Sequence, residues 1–247
     1  MRIWVVLPAY NEAENIPAIF DGLRALVRDT YRLEINVILV DDCSTDDTAE
    51  VAKRSAGDLP VRVLRNEINL GLDGTFMRGV QAADQLSRTD DIIVCMDADN
   101  THMPSQILRM TRNIQEGRDV VIASRYQYGA VVRGVPLFRR FLSRAMSLLF
   151  RTAFPIPGVR DYSCGYRAYR ASFLKAALNR HGEKLFSRGG FACMVGILLK
   201  LHKQDAICGE VPIVLRYDQK GGYSKMPVFS TVYSTLAILF RERFNLG

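Results

Sequence analysis

Two aspartates, Asp97 and Asp99, stand one residue apart directly behind an apolar run, in the stretch I-I-V-C-M-D-A-D-N-T-H-M at 92–103. The run at 92–96 is short enough for a buried strand, and Met103-Pro104 opens a helical segment after it. In an open α/β sheet, ligands sit outside the carboxyl ends of the strands, so this order puts two carboxylates where a ligand lies. Carboxylates at i and i+2 can share a hard divalent cation, which offsets the charge of a diphosphate. The plainer reading is a solvated acidic turn or a helix N-cap. Neighbouring strand ends argue against it. The run at 3–7 ends in P-A-Y-N-E at 8–12, and the run at 35–40 ends in V-D-D-C-S-T-D at 40–46. Asp41 and Asp42 alone fit turn chemistry with Ser44 or Thr45 as an N-cap, and Asn11 stands where it can cap the first helix. Three strands that deliver acidic or aromatic groups to one sheet edge point to a site.

The elements that must position these groups follow a βαβα order. Runs at 3–7, 35–40, 61–64, 92–96 and 120–123 are rich in Val and Ile with little polar alternation, as in strands covered on both faces. Segments 14–28, 46–54, 71–86 and 105–116 read as helices between them. The expected fold class is therefore α/β, a mostly parallel sheet flanked by helices. The pattern changes after about residue 124. Residues 137–151 mix Leu, Phe and Met with Arg139, Arg140, Arg144 and Arg151 at helical spacing. That segment reads either as a core-packed helix with a solvated arginine face or as a helix on an anionic membrane surface. Residues 161–167 read as a turn-like link, 192–201 as a helix and 206–215 as a strand. Residues 221–225 form a glycine loop carrying Lys225, and 229–244 a second amphipathic segment.

With 247 residues, the chain is one large domain or one with an elaborated C-terminal part. The net charge of +7 and a sequence pI of about 9.3 favour anionic partners. The arginines are scattered and form no like-charge tail, which speaks against nucleic acid. The five cysteines are odd in number and lack metal-ligand spacing, as expected of reduced thiols in a cytosolic protein. The run at 3–7 is too short for a secretory signal, and no stretch approaches the ~18 uninterrupted apolar residues of a membrane span.

Six motifs occur in order: P-A-Y-N-E at 8–12, V-D-D-C-S at 40–44, D-A-D at 97–99, S-R-Y at 124–126, D-Y-S-C-G-Y-R at 161–167 and S-K-M at 224–226. In this order they resemble the family 2 glycosyltransferases of the GT-A (Rossmann-like) fold, and among them the dolichyl- and polyprenyl-phosphate hexose synthases. The resemblance covers roughly residues 2–226, implying a catalytic domain over 1–226 and an amphipathic C-terminal helix over 227–247. It implies inverting, metal-dependent transfer of a hexose from a nucleoside-diphosphate sugar, of GDP-mannose or UDP-glucose type, to a polyprenyl or dolichyl phosphate. Pro8, Tyr10 and Glu12 would hold base and ribose, beside Val40 and Asp42. Asp97 and Asp99 would bind Mg²⁺ or Mn²⁺ on the diphosphate, with Ala98 against the nucleotide. Arg125, Arg139 and a mobile Lys225 would meet the acceptor phosphate, so Asp99 and Arg125 carry the chemistry. The chain departs from the family at Thr101, where a glutamine often adds a metal ligand, and at Asp73, where small neutral residues prevail. The membrane-spanning tail of many relatives is missing, which implies a peripheral protein on the cytoplasmic face.

Acceptor chemistry can also be read from the residues. A sugar hydroxyl needs a general base, whereas a phosphate monoester, with a second pKa of about 6, arrives mostly dianionic. Relatives that use hydroxyls carry an acidic pair on the helix corresponding to 192–201; here that helix reads A-C-M-V-G-I-L-L-K-L. Arginine forks suit phosphate oxygens, which favours a lipid phosphate docked through 137–151 and 229–244. The second of these segments serves equally as a contact for an oligomer mate or a membrane protein. Three further readings compete. One is transfer to a glycan hydroxyl with Asp161 as base. Another is a phosphatase of the haloacid-dehalogenase type using D-A-D-N-T, which needs that motif on the first strand. The third is a non-catalytic nucleotide-sugar binder. A Rossmann dehydrogenase lacks its G-x-G-x-x-G.

Overall fold

The structure is a computed structural model and describes residues 2–186, 190–219 and 237. Lys225 and the segments expected over 227–247 and 229–244 lie outside the described residues. The first half alternates as the periodicity predicts: β1 (Arg2–Ala9), α1 (Ile16–Asp29), β2 (Glu34–Asp41), α2 (Thr48–Ser55), β3 (Val61–Arg65), α3 (Gly71–Leu86), β4 (Ile92–Cys95), α4 (Gln106–Gln115) and β5 (Val120–Ser124). All four residues of β4 and all five of β5 are buried, which is why these runs lack polar alternation. β1 lies between β2 and β4 and parallel to both, with Val5 opposite Val37 on one side and Val94 on the other. The carboxyl ends of β2, β1 and β4 therefore form one edge, and it carries the acidic motifs.

The second half departs from the expectation. Next come β6 (Val131–Arg133), α5 (Leu137–Ala153), β7 (Arg167–Arg170), α6 (Ala171–His181), α7 (Cys193–His202), β8 (Cys208–Pro212) and β9 (Val214–Arg216). The seven-stranded sheet runs β3-β2-β1-β4-β7-β5-β8. β7 lies antiparallel between β4 and β5, so the sheet is mostly parallel but mixed. The turn-like link thus runs straight into a central strand. R-A-Y-R carries no apolar run, yet Arg167 and Tyr169 are buried in it. Helix α6 also goes beyond the sequence reading. The single strand expected over 206–215 is two, because Pro212 ends the ladder on β5 and β9 moves to a separate pair with β6.

Helix α3 lies on β1 and β2 through Gly79. A Cβ placed there would fall 2.5 Å from Val6 Cγ1 and 3.1 Å from Val40 Cγ2. Replacing Gly79→Ala is expected to destabilise the chain by about 1–3 kcal/mol through overpacking. Urea denaturation should show this as a lower midpoint with an unchanged slope, and an unaltered midpoint would contradict the close approach.

Candidate active site

The loops after β1 and β2 are stitched together. Asn11, at a φ of 53°, donates its main-chain N–H to Ser44 Oγ (2.9 Å), and its side-chain oxygen accepts the Thr45 N–H (2.8 Å). Asn11 therefore ties two strand ends together and does not cap α1, whose N-cap position is Asn15. Glu12 donates its N–H to Thr48 Oγ1 (2.8 Å), and its carboxylate accepts from Asn15 Nδ2 (2.7 Å). Pro8 stands opposite Val40 in the β1–β2 register, and Tyr10 is exposed at the mouth of this edge. Asp42 is buried, and its carboxylate accepts from Leu70 N–H (2.8 Å), Gly71 N–H (2.9 Å) and Asn66 Nδ2 (2.7 Å). It thus fixes the N-terminus of α3 to the edge, where a carboxylate also meets the positive end of the helix dipole.

The D-A-D loop leaves β4 with Ala98 buried and Asn100 at a φ of 59°, a left-handed turn that asparagine tolerates. Asp99 Oδ1 accepts both the Thr101 N–H (3.2 Å) and the Thr101 hydroxyl (2.6 Å). Thr101 thus holds the carboxylate in place. Asp97 and Asp99 both line a cavity of ≈ 300 Å³, together with Thr101 and His102. Among the described residues no cluster of three His, Cys, Asp or Glu side chains forms a closed metal site. An oxygen-only pair in the wall of an open cleft fits Mg²⁺ or Mn²⁺, hard ions that bind one or two carboxylates and complete their shell with substrate phosphates and water.

Arg125 and Arg139 line the same cavity, whose apolar wall includes Leu142, Met146 and Phe150 of α5. Arg139 Nη1 donates to Tyr217 Oη (3.0 Å). Arg125 meets Asp161, which is 0% exposed, through Nε (2.8 Å), Nη2 (2.7 Å) and its main-chain N–H (3.0 Å). Burial alone would raise the Asp161 carboxyl, but the charge and hydrogen bonds of Arg125 outweigh it and hold the group below its usual range. Arg125 Nη2 also donates to Ser163 Oγ (2.8 Å), while Nη1 makes no hydrogen bond among the described residues. The structure thus brings Asp97, Asp99, Arg125 and Arg139 around one cleft. Pro8, Tyr10, Glu12, Val40 and Asp42 sit at the adjoining strand ends, and Asp73 in the first turn of α3. The Arg125–Asp161 pairing and the place of His102 in the cleft wall were not legible in the sequence. The pair is split by 36 positions, and a histidine three residues past a D-x-D carries no signal of its own.

The sequence model of Glycosyl transferase family 2 matches residues 4–178. The chain belongs to this family. It is 36% identical over 228 residues to an undecaprenyl-phosphate mannosyltransferase of Micrococcus luteus, covering 92% of this chain and 88% of that one. It is 32% identical over 187 residues to a dolichol-phosphate mannosyltransferase of Pyrococcus furiosus, covering 75% of this chain but only 51% of that longer protein. The chain thus spans about half the length of the Pyrococcus relative. Its fold is similar to a crystal structure of glucosyl-3-phosphoglycerate synthase from Mycobacterium tuberculosis in complex with Mn²⁺, UDP and phosphoglyceric acid. The TM-score is 0.69 at 21% identity, over 98% of this chain and 78% of that one. The protein is therefore a glycosyltransferase of the GT-A fold.

A buried carboxylate and its arginine destabilise a fold when one partner is removed, because the other charge is left without compensation. Asp161→Asn is expected to cost this glycosyltransferase about 3–5 kcal/mol of unfolding free energy. The lowered carboxyl contributes stability above its unfolded pKa of ~3.9, and loses it as pH falls through the folded value. The gap between variant and native chain in urea denaturation should therefore be full at pH 7 and narrow below about pH 4. A gap independent of pH would contradict the ion pair.

Proposed function

We infer that this family 2 glycosyltransferase transfers a hexose, with inversion, from a nucleoside-diphosphate sugar to the phosphate of a polyprenyl lipid at a membrane surface. One observation carries the choice of acceptor. The carboxylates lining the cleft are Asp97 and Asp99, on the donor side, while Asp161 is locked onto Arg125 and held ionised. Helix α7 offers no acid either. Among the described residues the acceptor side therefore carries cations and offers no base, which suits a nucleophile that arrives already deprotonated. Phosphate monoesters, with a second pKa of about 6, do so at neutral pH. The relatives named for undecaprenyl- and dolichol-phosphate mannosyl transfer support the same class of acceptor.

Residues at the ends of β1 and β2, Pro8, Tyr10, Glu12, Val40 and Asp42, border the nucleotide. Asp97 and Asp99 hold Mg²⁺ or Mn²⁺, with Ala98 against the nucleotide. The cation would supply charge to offset the leaving diphosphate as the glycosidic bond breaks. Arg139, and Arg125 through its unengaged Nη1, draw the acceptor phosphate to the opposite face of the anomeric carbon, with Lys225 as a further cation. Asp161 keeps Arg125 oriented.

Helix α5 supplies the membrane contact. Of its 17 residues only Phe150 is buried, and Leu137 (79% exposed), Phe138 (65%) and Phe141 (72%) project outward near Arg140 and Arg144. No helix among the described residues is long and apolar enough to cross a bilayer. Such a face suits insertion at the headgroup boundary, with about 1 kcal/mol per basic residue close to an anionic leaflet.

With labelled nucleotide sugar and a prenyl phosphate, Asp99→Ala should abolish transfer while the chain stays folded. Arg139→Ala should raise the acceptor KM at least about tenfold, a loss of ~1.4 kcal/mol, with the donor KM unchanged. Transfer to a free glycan in place of the prenyl phosphate, or an unaltered acceptor KM, would overturn the acceptor assignment. A second measurement addresses the surface. Replacing Leu137, Phe138 and Phe141 by serine should release the protein from anionic vesicles without changing turnover on a short, water-soluble prenyl phosphate. Undiminished vesicle binding would place the contact elsewhere.

A further inference from the structure

His102 is only 4% exposed, and its imidazole lies against Asp97 in the cleft wall. The Asp97 main-chain N–H donates to His102 Nδ1 at 3.1 Å. A ring nitrogen that accepts a hydrogen bond carries no proton, so the proton of the neutral ring sits on Nε2. That nitrogen is 3.9 Å from Asp97 Oδ2. The distance exceeds a hydrogen bond, and because the Asp97 side chain is 35% exposed, the remaining charge–dipole interaction is orienting but partly screened. One ring therefore spans both the main chain and the carboxylate of Asp97.

The ring is itself held from two sides. It stacks on Tyr166 at 4.8 Å between centroids and 24° between planes, and Tyr166 donates its hydroxyl to the Met103 carbonyl at 2.9 Å. The His102 main chain bridges Leu215 of β9, and Arg216 donates its N–H to the Thr101 carbonyl at 3.0 Å. Gly165 is also a neighbour of Asp97, since a Cβ built there would make an ordinary van der Waals contact with Oδ1 at 3.7 Å.

We propose that His102 is the positioning residue for Asp97, fixing its carboxylate relative to Asp99 so that two protein ligands suffice for the cation. The proposal rests on the reading that this pair holds the metal. Asp99 is held by Thr101, so residues 97–102 contain both carboxylates and a holder for each. A cation that takes its other ligands from diphosphate and water is placed by the protein through those two carboxylates alone. Groups that orient metal ligands typically change metal affinity or activity by about 10–100-fold when removed.

The test uses the full chain with His102→Asn and His102→Gln. Asparagine keeps an oxygen where Nδ1 accepts the Asp97 N–H but has nothing to turn toward the carboxylate. Glutamine carries its amide donor farther, toward the Nε2 position. Mn²⁺ binding is read from the electron paramagnetic resonance of the free ion, in the presence of GDP or UDP, and transfer is measured against Mn²⁺ concentration. His102→Asn should weaken Mn²⁺ binding about tenfold or more. The Mn²⁺ needed for half-maximal rate should rise by the same factor, with the rate at saturating Mn²⁺ within about twofold of native, and His102→Gln should recover part of the affinity. Unchanged Mn²⁺ affinity in both variants, or a lost rate that excess Mn²⁺ does not restore, would overturn the proposal. If the native chain binds no Mn²⁺ with either nucleotide, the metal reading itself fails and the proposal falls with it.

Discussion

A buried carboxylate needs a cation or hydrogen-bond donors, and the link that leads from β5 into β7 is arranged by that requirement. Asp161 takes three hydrogen bonds from Arg125 and further ones from the main-chain N–H groups of Ser163 (3.3 Å) and Cys164 (3.1 Å). The end of β5 and the 161–164 loop are thereby fastened together. From that point the chain has only two residues before Arg167 enters β7 between β4 and β5. The same short path carries Gly165 past Asp97. One ion pair therefore fixes Arg125 in the cavity wall and the path of Gly165 past Asp97 together. Arg167 reinforces the path from within, donating to the carbonyls of Tyr162, Cys164 and Met194 at 2.7–2.8 Å.

The electrostatics of the cleft follow from this division. Asp97 and Asp99 follow the end of β4, and Arg125, just after β5, and Arg139 of α5 line the same cavity. Asp161 leaves Arg125 a cation while removing most of its freedom, since Nε and Nη2 are already engaged. Such preorganisation lowers the cost of ordering the site when substrate binds.

The helix that closes the cleft is built unlike the others. α1 and α4 each bury five residues, all apolar in α1 and including Gln106 and Thr111 in α4. α5 buries only Phe150, lines the cavity with Leu142 and Met146, and exposes Leu137, Phe138, Phe141, Leu148 and Leu149. Its inner face lines the cavity through Arg139, Leu142, Met146 and Phe150, and its outer face exposes Leu137, Phe138 and Phe141, so the cavity and an exposed apolar patch lie on two sides of a single helix.

By itself the sequence determined the β1-to-β5 alternation, the edge that carries the acidic motifs, the α/β class and the basic amphipathic segment at 137–151. Those features rest on local patterning, since buried parallel strands are continuous apolar runs and helices repeat every few residues. Tertiary structure decided what depends on partners far along the chain. R-A-Y-R became a central strand because two neighbouring strands bury it, whereas its own pattern says nothing of a strand. Asn11 went to Thr45 in place of the adjacent helix, because a second loop lay within reach. Arg125 met Asp161, Thr101 met Asp99 and His102 met Asp97 through turns and crossovers whose outcome is spatial. Hydrogen bonds and ion pairs act over a few ångströms, and only the folded chain brings those groups that close.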